Sequence, residues 1–280
     1  MKTLYVTDLD GTLLDADARL SQEAERTLSR LIKKGMQFTY ASGRTPESAV
    51  KIMENVPLSL PVIMMNGVLI YDMRERKYLL KEYLSEKSVV EIKKLMKRYH
   101  AGGFLYRLTG DHLMTYYERA DSLPKREFIA QRRERYNKPF TQVDSFDALP
   151  VKDTFYFCLL EPEDVLAPLA KALREIPEVG YAFYKDIYHP GTWYLEIFSA
   201  SASKYQAVCW LRNYLNPEEI VGFGDNLNDL PLFQGCDRRY AVANATEELK
   251  CAADGVIGSH TENGVVRFLE QEIAASCHQG

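Results

Sequence analysis

The segment LYVTDLDGTLL occupies residues 4–14, and it is the stretch of sequence that decides the fold. Its apolar residues 4–6 predict a buried strand that ends at Asp8. Asp8 and Asp10 are acidic, and Gly11 directly after them is typical of a turn. An apolar strand that stops at two carboxylates indicates an α/β fold with polar groups at one edge of its sheet.

Two further apolar runs, at 36–41 and 61–65, are also predicted strands. Apolar residues at helical spacing over 21–34 place a helix before the first of these runs. A Thr-Pro-Glu start at Thr45, with threonine as the cap, places a second helix before the other. Strand, helix, strand, helix, strand predicts a doubly wound, Rossmann-like parallel sheet of the α/β class.

The middle of the chain has a different pattern. Two predicted hairpins, at 104–117 and 181–198, stand among helical patterns and favour an α+β module built on an antiparallel sheet. After Ser203 the alternation of helix and strand returns. We therefore predict two domains. They are an α/β core of residues 1–83 and 199–280, and an inserted α+β cap of residues 84–198.

The composition is that of a soluble globular protein of about two domains. The 280 residues are 46% hydrophobic and 26% charged, with a formal net charge of -4. This charge gives no general attraction to nucleic acid or to an anionic membrane. Five scattered cysteines predict reduced thiols in the cytoplasm. No apolar run is long enough to predict a membrane span. No pattern specifies an oligomeric state.

Four polar segments carry the chemistry, and three of them follow a predicted core strand. They are residues 8–14, 42–44, 204 and 224–229. Parallel strands end at one edge of a sheet, so the carboxylates of these segments are expected to converge there and to need a cation. Oxygen ligands without cysteine or histidine indicate Mg²⁺ bound together with substrate phosphate.

Other interpretations exist for each segment. An EF-hand calcium loop starting at Asp8 needs glycine at position six and glutamate at position twelve, where this chain has Leu13 and Arg19, so calcium is excluded. Taken alone, residues 225–229 fit a polar turn and Lys204 fits a surface lysine. The joint order and placement of the segments favour a functional site.

Taken together, these segments resemble the haloacid dehalogenase superfamily, and specifically its Cof-type phosphatases (subclass IIB), which carry a large cap after the third core strand. The family usually has a glycine after its lysine, where this chain has Tyr205. The matching elements are residues 8–14, Ser42-Gly43-Arg44, Met65-Asn66-Gly67, Lys204, the GDNLNDL run at 224–230, Asn244-Ala245, Lys250, Ala253-Asp254 and Asn263-Gly264-Val265.

The resemblance implies that phosphate monoesters are hydrolysed through an aspartyl-phosphate on Asp8. Asp10 is the implied general acid and base, and its backbone carbonyl is implied to bind the ion. Asp8 and Asp225 are the implied carboxylate ligands of Mg²⁺. Asp229 is implied to act nearby, through water or through a hydrogen bond to Lys204.

The resemblance also implies a set of contacts to the phosphate. Ser42, the amides of Gly43 and Arg44, and the start of the following helix are expected to donate to the transferring oxygens. Lys204 supplies positive charge, and Asn228 adds a polar contact. A local ion pair is the alternative role for Arg44.

Selectivity is expected to come from the insert. The hairpin 184–193, which carries aromatic residues and His189, is one substrate-facing edge to consider; the alternative is that these aromatics pack internally and His189 is a turn residue. The basic stretch 125–138 is interpreted as the solvated face of an amphipathic helix whose other face carries Phe128 and Ile129, rather than as an RNA-binding element.

The sequence therefore predicts a Mg²⁺-dependent phosphatase of small phosphorylated metabolites, with sugar phosphates as the first class by resemblance. Flavin mononucleotide-like nucleotides and pyridoxal phosphate remain open as substrates. A phosphomutase using the same aspartates and a phospho-ligand sensor with weak turnover are the alternatives. Retention of Asp10 favours an enzyme over a sensor, because binding alone does not need an acid at this position.

Overall fold

The computed structural model of the chain describes residues 2–186 and 189–277. The first segment forms β1 (Thr3–Thr7), α1 (Gln22–Lys33), β2 (Gln37–Tyr40), α2 (Pro46–Ile52), β3 (Pro61–Met64), β4 (Leu69–Asp72) and β5 (Lys77–Lys81). The middle forms α3 (Glu86–Arg98), β6 (Gly103–Thr109), β7 (His112–Tyr117), α4 (Leu123–Tyr136), β8 (Thr141–Gln142), β9 (Thr154–Pro162), α5 (Glu163–Leu173), β10 (Val179–Lys185) and β11 (Thr192–Ser199). The last segment forms α6 (Lys204–Leu215), β12 (Glu219–Gly224), α7 (Leu230–Gln234), β13 (Arg238–Val242), α8 (Glu247–Ala252), β14 (Gly255–Ile257) and α9 (Gly264–Cys277).

The chain forms two compact units. The first consists of Met1–Leu80 and Lys204–Gly280, and the second consists of Lys81–Ser203. Across the described ranges, no helix is both long and apolar enough to cross a membrane.

The first unit is built on a parallel sheet with the strand order β14-β13-β12-β1-β2. A single parallel bridge between Ala41 and Ile63 places β3 beside the end of β2. From there β3 pairs antiparallel with β4, and β5 follows as the outer strand of this small sheet. The predicted α/β class with a parallel sheet is confirmed, and β1 lies inside the sheet between β12 and β2, where Leu4, Tyr5 and Val6 are buried.

Helix α1 shows how the sequence sets these elements. Ser21 accepts a hydrogen bond from the Ala24 amide at 3.0 Å and so caps the helix. Ala24, Leu28 and Leu31 recur at helical spacing and are buried. Helix α2 differs from the prediction: Thr45 stands at the N-cap position, but its side chain makes no capping hydrogen bond to the helix.

The second unit contains a six-stranded sheet with the order β10-β11-β9-β6-β7-β8. The two predicted hairpins are confirmed as β6–β7 and β10–β11, and the pairs are antiparallel except β7–β8, which is parallel. Apolar side chains from alternate positions of the central strands pack with α3 and α5 in one core. Among them are Leu105, Phe157, Leu159, Leu195 and Ile197.

The basic helix α4 packs against the sheet through the stacked rings of Phe128 and Phe104, whose centroids are 4.4 Å apart. The prediction that the basic residues around it form a solvated face is wrong at both ends. Lys125 is 1% exposed, because its ammonium is held by Asp121 at 2.8 Å and by Glu161 at 2.6 Å. Lys138 is equally buried and lies over the ring of Tyr106.

Gly103 gives a test of the insert's packing. A Cβ at this position would overlap the backbone carbonyl of Cys158 in the neighbouring strand. Gly103→Ala should therefore lower the free energy of unfolding of the second unit by about 2–3 kcal/mol in a denaturant titration. Gly110→Ala is the control: its φ is +63° with open space around it, so the cost should be about 1 kcal/mol. Equal stability of Gly103→Ala and the parent protein would contradict the packing described.

Candidate active site

The acidic residues stand where neighbouring parallel strands end. Thr7 of β1 lies opposite both Tyr40 of β2 and Phe223 of β12. Asp8 directly follows β1, and Asp225 directly follows β12. The register of the sheet therefore brings these two carboxylates together at its carboxyl edge, although 216 residues of sequence separate them.

Lys204, the first residue of α6, joins two of the acids. Its Nζ donates to Oδ1 of Asp8 at 2.5 Å and to Oδ1 of Asp229 at 2.6 Å. All three side chains are almost completely buried, with relative exposures of 1%, 6% and 0%. The structure thus gives Lys204 a position between two of the predicted site acids rather than on the surface.

The loop after β12 is shaped around Asp229. Its Oδ2 accepts hydrogen bonds from the amides of Asp225 at 2.9 Å and Asn226 at 3.2 Å, so both oxygens of this carboxylate are held. A Cβ on Gly224 would lie 2.7 Å from the Cβ of Asp229. Glycine is therefore required at the end of the strand for the loop to fold back on itself.

Asp225 is oriented by the first loop. Thr12 Oγ1 donates to Oδ1 of Asp225 at 2.9 Å. Gly11 has a φ of +73°, and a Cβ there would overlap Oδ2 of the same carboxylate. Sequence reasoning missed Thr12 as a site residue, although its position within the 8–14 run was a signal that could have found it.

Asp8, Asp225 and Asp229 form a cluster that fits a metal ion. One carboxylate oxygen from each lies within 4.8 Å of the others. Three carboxylates face a single ammonium, so the cluster carries surplus negative charge. Hard oxygen ligands in this number suit a divalent cation such as Mg²⁺. The carboxylate of Asp10 is not part of this cluster.

The pKa values of the cluster reflect its surplus of negative charge. Burial raises the pKa of Asp8 to about 7; the Asp229 and Asp10 carboxylates add to the rise, and Lys204 opposes it. Burial, with Asp229 and Asp8, raises the pKa of Asp225 well above its usual range. Burial alone would lower the pKa of Lys204, but Asp229 and Asp8 outweigh it and raise that pKa above its ordinary value.

The segment that follows β2 is fixed by backbone hydrogen bonds around Ser42. The Arg44 amide donates to Ser42 Oγ at 3.1 Å, and the Asn66 amide donates to the Ser42 carbonyl at 3.0 Å. Met65 and Asn66 both have positive φ, which turns the chain sharply beside Gly43. A Cβ on Gly43 would lie 3.3 Å from Asn66 Oδ1, so this glycine makes room for the turn.

Asp10 and Arg44 form a bidentate pair. Nε and Nη2 of Arg44 each donate to one oxygen of the Asp10 carboxylate at 2.6 Å. The Asp10 side chain is 36% exposed and that of Arg44 is 13% exposed. Of the two roles considered for Arg44, the structure shows the local ion pair, with the predicted acid and base as its partner.

Two more polar residues belong to the acidic loops or contact them. Asn228 lies in the same loop as Asp229, but within the described chain its side chain makes no hydrogen bond. His260, which no motif singles out, donates through its Nδ1 to the Gly11 carbonyl at 3.2 Å. No spacing pattern could have indicated this contact, because the two residues lie 249 positions apart in the sequence. In the second unit, His189, for which a substrate-facing position and a turn position were considered, bonds Asp186 and Glu127, each at 2.7 Å.

The sheet, the acidic cluster and the buried lysine are those of a haloacid dehalogenase-like hydrolase. The sequence profile of that family matches residues 5–269, and the chain belongs to the family. The resemblance inferred from the sequence is confirmed, and the protein is a phosphoric monoester hydrolase of the Cof type.

Among curated relatives, the 5-amino-6-(5-phospho-D-ribitylamino)uracil phosphatase YwtE of Bacillus subtilis is 26% identical, with 97% of this chain and 98% of the relative covered. The pyridoxal phosphate phosphatase YbhA of Escherichia coli is 24% identical, with coverages of 94% and 95%. A crystal structure of a haloacid dehalogenase-like hydrolase from Bacteroides thetaiotaomicron has a TM-score of 0.79 at 20% identity, with coverages of 97% and 99%. The last comparison shows the shared fold.

Asp225→Asn tests the charge balance of the cluster. In EDTA at pH 8, the variant should melt about 2–4 °C higher than the parent, because it removes a buried carboxylate with like-charged neighbours. Added Mg²⁺ should raise the melting temperature of the parent and leave that of the variant unchanged.

The exposed Asp254, which pairs with Arg239 at 2.7 Å, supplies the matched control. Asp254→Asn should keep the full Mg²⁺-induced rise in melting temperature. An equal Mg²⁺-induced rise in Asp225→Asn and the parent would place the ion elsewhere.

Proposed function

We propose that the protein is a Mg²⁺-dependent phosphatase of small phosphorylated metabolites, with sugar phosphates as the first substrate class, that works through an aspartyl-phosphate. The observation that carries this proposal is the buried ammonium of Lys204 between Asp8 and Asp229, beside Asp225. A structural ion pair would need one acid, whereas this cluster holds three.

We assign the ion to Asp8 and Asp225, with the backbone carbonyl of Asp10 as a third ligand and Asp229 close by. When bound, Mg²⁺ supplies positive charge that offsets the carboxylates and the incoming phosphate dianion. Each like-charged pair at 4 Å costs about 4 kcal/mol at an effective dielectric constant near 20. The surplus of acids over bases in the cluster is therefore consistent with a divalent ion.

Asp8 is assigned as the nucleophile. Lys204 holds its Oδ1, while its Oδ2 has no hydrogen bond within the described residues and is the oxygen we assign to attack on phosphorus. The bond to phosphorus forms as the ester oxygen departs with its electron pair, giving an acyl phosphate on Asp8. The Lys204 ammonium stabilises negative charge both before the attack and in the acyl phosphate that it forms.

Asp10 is assigned as the acid that protonates the leaving oxygen and as the base that deprotonates the hydrolytic water. The bidentate pair with Arg44 suits a carboxylate, which is the form required for the second step. To deliver a proton in the first step, Asp10 has to leave this pair. Arg44 is then available to the phosphate oxygens.

The phosphate is assigned to groups of the first unit. Ser42, the amides of Gly43 and Arg44, and Lys204 are the proposed donors, and Asn228 is a further one because its side chain has no other partner in the described structure.

Four described cysteines carry free thiols, which is consistent with the predicted cytoplasmic location.

The substrate class is proposed from the relatives and the insert. The two named relatives act on a phosphorylated ribityl compound and on pyridoxal phosphate, both small phosphate monoesters. We propose that residues 1–83 and 199–280 act as the catalytic core and that residues 84–198 determine which ester is accepted.

Asp8→Asn is the direct test of the nucleophile. In a screen of sugar phosphates, pyridoxal phosphate and flavin mononucleotide with Mg²⁺, the variant should release phosphate at least about 10³-fold more slowly than the parent. The exposed Asp17 gives the control, since Asp17→Asn should retain the parental rate.

Undiminished turnover by Asp8→Asn would remove it as the nucleophile. Conversion of one phosphate isomer into another without net phosphate release by the parent would identify a phosphomutase. Tight binding of a phosphorylated ligand without turnover would identify a sensor.

Removal of the metal tests the cofactor. Excess EDTA should abolish phosphate release, because the acidic cluster then repels the substrate dianion. Mg²⁺ added beyond the chelator should restore the rate, and the melting curve of the parent should show that the fold survives the treatment. A rate that is unchanged in EDTA would exclude a divalent ion from the reaction.

A further inference from the structure

The loop of residues 8–14, which carries Asp8 and Asp10, has contacts to the rest of the protein at Gly11. The Leu9 carbonyl accepts hydrogen bonds from the amides of Leu13 and Leu14 at 3.0 and 2.9 Å, which fixes the loop from within. Gly11 lies outside these bonds, in the left-handed region and against the carboxylate of Asp225. Inside the loop, the Gly11–Thr12 peptide group is bonded through the Thr12 amide, which lies 3.3 Å from the Leu9 carbonyl; its other end, the Gly11 carbonyl, takes its contacts from outside the loop.

Two side chains from the end of the chain donate to this carbonyl. Asn244 Nδ2 lies 2.8 Å from the Gly11 oxygen, and His260 Nδ1 lies 3.2 Å from it. Asn244 belongs to the turn between β13 and α8, and His260 to the turn before α9. Two donors on one carbonyl oxygen use both of its lone pairs.

The orientation of the Asn244 amide follows from its partners. Its Oδ1 accepts the backbone amide of His260 at 3.0 Å, and a backbone N–H can only donate. The other end of the side chain is therefore the NH₂ group, which faces Gly11. A carbonyl acceptor likewise requires the proton of His260 on Nδ1. Burial lowers the pKa of His260, which agrees with this neutral form.

The turn that supplies Asn244 is also fixed to the second acidic loop. The Thr246 amide donates to the Asp225 carbonyl at 2.9 Å. Residues 244–246 thus touch Gly11 through a side chain and Asp225 through the backbone. One short turn spans the two loops whose carboxylates form the acidic cluster.

We propose that Asn244 is a positioning residue. Through its bond to Gly11 it sets the spacing between the loop that carries Asp8 and Asp10 and the loop that carries Asp225. His260 is the second donor to the same carbonyl. The consequence for turnover rests on the proposed phosphatase function, whereas the consequence for the cation site does not. The side chain of Asn244 itself bonds Gly11 and His260 and none of the carboxylate oxygens of the cluster.

Asn244→Ala removes the stronger donor from Gly11. Its loss should weaken binding of Mn²⁺, followed by electron paramagnetic resonance without substrate, by about three- to tenfold, the range that one hydrogen bond gives. With a substrate from the screen, kcat should fall by a similar factor at saturating Mg²⁺, while KM stays within about twofold, because the phosphate donors are elsewhere.

His260→Ala and the double variant complete the experiment. His260→Ala should weaken Mn²⁺ binding less than Asn244→Ala, since its bond is the longer one. The double variant should lose less than the product of the two single losses, because both donors serve one oxygen and Asn244 also binds the His260 backbone. Circular dichroism confirms that each variant is folded before it is compared.

The control is Arg239→Ala, which removes a surface ion pair with Asp254 close to the same turn in sequence. It should change the melting temperature slightly and leave Mn²⁺ binding unaltered. The positioning role would be overturned if Asn244→Ala lowered the melting temperature but left Mn²⁺ binding and kcat equal to those of the parent. If no phosphate ester is hydrolysed by the parent, the phosphatase function fails, while the Mn²⁺ measurement still decides the role of Asn244.

Discussion

The buried ammonium of Lys204 is the interaction on which the rest of the site depends. Burial of an ionised group is unfavourable unless partners compensate for the lost water, and here two carboxylates do so at hydrogen-bond distance. The same contacts fix Asp8 and Asp229 relative to each other. Because these acids belong to loops after different strands, one positive group determines how the carboxyl edge of the sheet is organised.

Much of the fold could be predicted because its central elements carry clear patterns. The apolar strand β1 and the amphipathic helix α1 lie within about two residues of their predicted bounds. The hairpin of β4 and β5 and the outer strands β13 and β14 carry no comparable pattern, since they are short and only partly buried. Lys125 escaped prediction because its burial depends on Glu161, a residue 36 positions away.

The polar residues of the site were named from the sequence, but their contacts were not. Motif positions identified Asp8, Asp225 and Lys204. The parallel pairing of β1 with β12 explains why the two acids meet, and Lys204 bonds Asp8 from the start of α6. The pairing of Asp10 with Arg44 and the donors on Gly11 have no local signal, because each joins segments that only the tertiary structure brings together. The spacing of motifs along the chain predicts which side chains lie at the carboxyl edge of the sheet. Which of them form hydrogen bonds with each other is known only from the folded backbone.

The position of β1 inside the sheet, between β2 and β12, has a consequence for biosynthesis. The ribosome synthesises β1 and β2 early, but β12, the other neighbour of β1, begins only at Glu219. During that interval one edge of an apolar strand stays uncovered, while the whole second unit is already available to fold. Nascent chains of this protein therefore pass through a stage in which all residues of the second unit have been synthesised while one edge of β1 is still unpaired, and an unpaired apolar strand edge is prone to aggregation.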